Sequence, residues 1–164
     1  MKPTDLLSTL LEFHKDKLTL RQRHVAVAKR VSQYDANNTY QYVINREDVH
    51  LQWLDAALAE LGSTAAVIAE PALPPAGKKD SFLPLVTQDA TDAGAFVSRW
   101  RPRLDEFSNA RHRNMLGVIL GETTEQQRFF QQIATGRTDQ LGRRANGPGS
   151  PGTGDGVMDV RWIE

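Results

Sequence analysis

The sequence has no cysteine among its 164 residues, which removes disulfides, thiolate catalysis and cysteine-ligated zinc together. Histidine and carboxylate side chains are the metal ligands that remain. An excess of either charge is also missing, since Lys and Arg number 20 and Asp and Glu number 20. There is therefore no electrostatic ground for a nucleic-acid partner or for an anionic membrane surface. Long apolar runs are missing too: no window approaches the roughly 20 residues that span a bilayer. The opening MKPTDLLSTLLEFHKDK is broken by Asp5, Glu12, His14 and Lys15 before it could build a signal-peptide core, so a cytoplasmic location is expected. A chain of this length is expected to form one domain.

Proline and glycine are absent between Pro3 and Gly62, and apolar residues recur there at spacings of three and four, the pattern of an amphipathic helix. Its one predicted break is Ser32 to Asn38 (SQYDANN), where Asn38 could cap a following helix with Gln41 three residues on. Two antiparallel helices are predicted, at 4–34 and 38–61, the second stopped by Gly62. Residues 63–86 carry Pro71, Pro74, Pro75, Gly77 and Pro84 and are predicted to be an extended crossover. Residues 87–135 return to a helical pattern with a break at Ser108 and Asn109. Pro102 either kinks the third helix or opens the fourth. Seven of the twelve glycines fall from Gly136 onward. Residues 1–136 are thus predicted as the bundle, and 137–164 as a flexible Gly/Pro-rich tail. The tail ends in the apolar VMDVRWIE (157–164), which would dock on its own bundle or on a partner.

Polar residues interrupt two of the predicted apolar stripes. In the second helix Tyr40, Val43 and Ile44 are followed by Leu51, Leu54, Leu58 and Leu61, with Glu47 and His50 in the turn between them. In the fourth, Met115, Leu116 and Ile119 are followed by Phe129, Phe130 and Ile133, with Glu122 in the gap and Glu125 on its flank. A carboxylate between Ile44 and Leu51 loses several kcal/mol of hydration and requires a cation, hydrogen bonds or a raised pKa in return. The segments YVINREDVHLQWL and GVILGETTEQQRF also align without gaps at a separation of 75 residues, matching Val43, Ile44, Glu47 and Gln52 with Val118, Ile119, Glu122 and Gln127. That alignment puts Glu47 opposite Glu122 and His50 opposite Glu125, as two similar helical hairpins would.

With these residues the chain resembles the ferritin-like superfamily, which includes ferritins, rubrerythrins and manganese catalases, over about residues 4–136. The resemblance implies an all-α ferritin-like four-helix bundle of two antiparallel hairpins joined by a long crossover. It also implies a di-iron or di-manganese centre held by a Glu from each of two helices and a Glu-x-x-His pair from each of the other two. Glu47-Asp48-Val49-His50 matches one such pair. In the fourth helix Glu122-Thr123-Thr124-Glu125 has Glu125 where the histidine should be. The first-helix ligand is either Glu12, by its spacing from Glu47, or His24, if the turn lies near residue 36. Asp92 would lie level with Glu125, with Asp89 as its neighbour. The implied metal set is Glu47, His50, Glu122, Glu125, His24 and Asp92, the cofactor Fe or Mn, and the chemistry that of an oxygen, peroxide or iron oxidoreductase.

A plainer reading of the same residues stays open. Glu47 and Glu122 could be buried partners of Arg21, Arg46, Arg111, Arg113 or Arg128, in a metal-free bundle that serves as an interaction or stress-associated protein. His14 and His112 are expected either at the surface or behind the ligands, in contact with them rather than with a metal. Trp53 and Trp100 are expected to pack between helices, and the mixed charges of HKDK and RQR to form a solvated face. A homodimer is among the open oligomeric states.

Overall fold

The stretch without proline or glycine forms two helices in the computed structural model of the chain, which describes residues 3–76 and 81–141. The first, α1, covers Pro3–Ala28, and the second, α2, covers Tyr34–Glu60. The turn between them is centred earlier than the sequence predicts. The Asn37 amide donates to the carbonyl oxygens of Ala28, at 3.0 Å, and Val31, at 3.3 Å, so it closes the end of α1. Gln33 rather than Asn38 is the N-cap of α2, its Oε1 accepting the Ala36 N–H at 3.0 Å. Gly62 does end α2: at φ +71° it takes the left-handed conformation open to glycine, while the N–H groups of Gly62 and Ser63 return to the carbonyls of Ala59 and Leu58.

The third helix, α3, spans Leu83–Trp100, starting inside the segment predicted as crossover. Pro84 is tolerated there because a first-turn N–H has no partner to lose. Pro102 does neither of the two things expected of it. It lies in a short 3₁₀ segment, Arg101–Glu106, between α3 and the fourth helix, α4, which spans Ala110–Ala134. The predicted break at Ser108 and Asn109 is observed, with Asn109 capping α4 by accepting the Arg111 N–H at 2.8 Å.

The described residues form an all-α four-helix bundle without strands. Side-chain pairs set the helix directions. Arg21–Asp48 and His14–Asp55 align α1 and α2 antiparallel. Arg23–Asp89 and the Trp100–Asp16 hydrogen bond do the same for α1 and α3. Arg111–Glu60 and Arg46–Glu122 do so for α2 and α4. Consecutive helices α2 and α3 therefore point the same way. Residues 63–76 run beside α1, held where Gln22 donates to the Ile68 carbonyl, Lys29 meets Glu70 at 2.5 Å and Arg30 donates to the carbonyls of Leu73 and Pro74.

Two apolar clusters fill the interior. One is built on Leu10, Phe13, Leu54, Leu58, Phe96, Trp100 and Ile119, the other on Val27, Tyr40, Val43, Val86, Phe130 and Ile133. A layer of buried polar side chains lies between them along each helix. The tail is not free from its first residue: Gln140 is buried and accepts a hydrogen bond from Thr39 at 3.2 Å, and Leu141 packs on the second cluster. The rest of the predicted tail, including 157–164, lies outside the described residues.

Phe13 is fully buried, with its ring edge-on to both Phe96 and Trp100 at 5.1 and 4.9 Å. Phe13→Ala is expected to cost about 3–5 kcal/mol in urea unfolding, through lost burial and the cavity left behind; a cost below about 1 kcal/mol would contradict this packing.

Candidate functional site

Glu47 lies where its helical spacing puts it, between Ile44 and Leu51 on the buried face of α2, and none of it is exposed. Two side chains of α1 bracket its carboxylate. Lys17 Nζ donates to Oε1 at 2.9 Å, and His24 Nδ1 contacts Oε2 at 2.9 Å. Lys17 is itself wholly buried, because it falls on the stripe Leu10, Phe13, Lys17, Leu20, His24, Val27 that α1 turns to the core. Its ammonium makes two further contacts on α4, with Thr123 Oγ1 at 3.1 Å and Gln126 Oε1 at 3.4 Å. Three N–H donors thus meet three oxygen acceptors. Burial pushes the Glu47 carboxyl up, but the charges and hydrogen bonds of His24 and Lys17 outweigh it and hold the group down to about 2.

His50, one turn further along α2, is also fully buried, and its Nε2 lies 2.7 Å from Glu122 Oε2. Glu122 is not in the core. Its side chain is 28% exposed and is gripped by Arg46, with Nη2 to Oε1 at 2.6 Å and Nε to Oε2 at 3.0 Å. Burial raises the Glu122 carboxyl, and the Arg46 and His50 hydrogen bonds outweigh it and keep the group below its usual value. Burial and the Lys17 charge hold the His50 imidazole down to about 4 despite Glu122. The neutral ring donates from Nε2 and leaves Nδ1 without a partner. Trp53, 37% exposed, lies against it with ring centroids 5.7 Å apart.

The predicted pairing of Glu47 with Glu122, and of His50 with Glu125, is therefore corrected. The buried stripe of α4 runs Leu116, Ile119, Thr123, Gln126, Phe130 and Ile133, so the side chains facing Glu47 from this helix are Thr123 and Gln126. Glu122 and Glu125 each lie one position off that stripe. Glu125 is exposed and pairs with Arg128 at 3.3 Å.

Of the α3 candidates, Asp89 is the buried one. It accepts hydrogen bonds from the Tyr40 hydroxyl and from Arg23 Nε, the latter at 2.6 Å. Burial raises its carboxyl, against the opposing pull of His24, Tyr40 and Arg23; burial and Asp89 push the Tyr40 phenol far up in turn. Asp92 stays at the rim with Arg23, at 3.3 Å, and Gln88, at 2.7 Å. Glu12, the other first-helix candidate, points outward to Arg99 and Arg103. His14 and His112 are both buried, which excludes the surface alternative for each, and His14 lies against Asp55 at 2.9 Å. The HKDK run is likewise no solvated face, since His14 and Lys17 both turn inward.

No family model, curated protein or solved structure matches the chain. Whether a metal pair could be held here rests on the donors themselves. A di-metal centre of the ferritin type takes carboxylates from all four helices and imidazoles from two. Here α4 offers a hydroxyl and an amide, Lys17 sits among the donors, and Asp89, Asp92, Glu122 and Glu125 are each paired with arginine. Among the described residues no group of three or more His, Asp and Glu side chains is arranged to hold a metal ion. The donor set does not fit a di-metal centre. Nor is any helix among the described residues long and apolar enough to cross a membrane.

Lys17, which the HKDK run assigns to a solvated face, carries the same signal as Glu47: a charge on an apolar stripe at three- and four-residue spacing.

Two pH windows follow. His50 is held neutral in the fold, so its contribution is fully present above its ordinary 6.5 and is lost as pH falls towards about 4. Glu47 stays ionised in the fold, so its contribution is present above its ordinary 4.5 and is lost as pH falls towards about 2. Each is expected to be on the order of 3 kcal/mol in urea unfolding followed across this range. His50→Gln should flatten the upper window alone; an unchanged profile in that variant would contradict the assignment.

Proposed function

We propose that this chain is a ferritin-like four-helix bundle that works without a metal centre, as a structural or interaction protein rather than an oxidoreductase. Two features support the ferritin-like part. The helices run up, down, down and up, an order that needs one long return connection, and residues 63–76 pass beside α1 between α2 and α3. Glu47-x-x-His50 also occupies the buried middle of α2. The observation that carries the metal-free part is the Lys17 ammonium, 2.9 Å from Glu47 in the centre of the bundle. A cation fixed by the chain already balances that carboxylate. A di-metal pair would have to displace it, would meet only neutral oxygen donors of α4 around Lys17, and would find Glu122 already held by Arg46.

The reading is tested by metal analysis of protein purified without chelators from iron- and manganese-replete cells, together with thermal melts in Fe(II), Mn(II) and Zn(II). The expected result is substoichiometric metal and an unchanged melting temperature. One or two bound ions per chain, with a melting temperature that rises with metal concentration, would overturn it and restore the Fe or Mn reading.

A further inference from the structure

We infer that the centre of the bundle is a receptor for a single ammonium ion, which the chain fills with its own Lys17, and that removing that side chain opens a site for a free alkylammonium. The inference rests on the metal-free reading and adds to it the class of ion that the site recognises.

All four helices shape the site. Lys17 enters from α1. Glu47 of α2 supplies one carboxylate oxygen at 2.9 Å, and Thr123 and Gln126 of α4 supply a hydroxyl oxygen at 3.1 Å and an amide oxygen at 3.4 Å. The Phe96 ring of α3 lies under the ammonium, 5.6 Å from Nζ to its centroid. Thr123 Oγ1 spends its own hydrogen on the Ile119 carbonyl at 2.8 Å, so it faces Lys17 as an acceptor. Gln126 turns Oε1 to the ammonium and leaves its buried Nε2 without a partner.

This donor set suits an ammonium better than a metal ion. A π face attracts an ammonium electrostatically, whereas divalent metals draw on several carboxylates or imidazoles. Three acceptors match the three hydrogens of a primary ammonium, and the one carboxylate that contacts the ion matches its single charge. Lys17 and Glu47 are both entirely buried, so removing the cation leaves a buried carboxylate without its counter-charge.

The test is chemical rescue. Lys17→Ala removes three methylenes and the amine, the atoms of n-propylammonium. The variant is expected to melt about 10 °C below wild type, as loss of one partner of a buried ion pair implies. Propylammonium should raise its melting temperature in a saturable way. Neither n-propanol at the same concentration nor Mn(II) should do so, and wild type should not respond to propylammonium. If the variant does not fold in buffer, recovery of helicity on adding propylammonium becomes the readout. Lys17→Met with Glu47→Gln, which removes both charges, should be more stable than Lys17→Met alone. Equal response to propanol and propylammonium, no response to either, or a larger response to Mn(II) would overturn the inference. The metal-free reading would survive the first two outcomes as long as wild type binds no metal, so the two claims fail separately.

Discussion

The buried pair of Lys17 and Glu47 is the constraint around which the rest of the interior is arranged. Two full charges lie at 0% exposure, and the cost of dehydrating them is offset only if every donor and acceptor finds a partner. That demand accounts for the neighbours. His24 takes the second oxygen of Glu47, and Thr123 and Gln126 take the remaining hydrogens of Lys17. The apolar clusters above and below exclude water from a layer in which the two charges are fully paired, although His24 Nε2, His50 Nδ1 and Gln126 Nε2 around them have no partner. Two other networks flank the pair. Asp89 is balanced by Arg23 and Tyr40, and Glu122 by Arg46 and His50.

Such a layer does more for specificity than for stability. An apolar replacement of the whole network could be as stable, since buried ion pairs often do no better than well-packed hydrophobic residues of the same volume. What an apolar core lacks is a penalty for sliding. Moving α1 by one turn would put the Lys17 ammonium among leucines and leave Glu47 without its cation, whereas the flanking stripes of Leu, Val and Phe would accept the shift at little cost.

The sequence made the helical class and Glu47 legible because both follow from periodicity: a run without proline or glycine, and a charge on its apolar stripe. Gly62 and the break at Ser108 and Asn109 were legible because their backbone chemistry is local. Lys17 was not read because HKDK presents four polar residues together, and local charge density suggests solvent although the 3.6-residue period puts Lys17 inside. A turn near residue 36 puts His24 level with Glu47; the turn lies at 29–33, and Glu47 is met from α1 by His24 and Lys17 together. On α4 the carboxylates Glu122 and Glu125 drew the assignment away from Thr123 and Gln126. Neutral residues on a buried stripe carry no sequence signal of their role, and a rotation of one residue, about 100° on a helix, separates the two readings. Asn37 closing α1 from nine residues away was equally invisible, since it depends on the turn that it helps to form.

The division of the layer between the two hairpins has a kinetic consequence. Lys17 and Glu47 belong to the pair α1 and α2, while two of the three acceptors around the ammonium come from α4. Each hairpin can close through contacts near in sequence, but the charge pair loses its water only when the hairpins meet, across separations of more than 100 residues. Assembly of the two halves thus carries an electrostatic barrier that neither half meets alone.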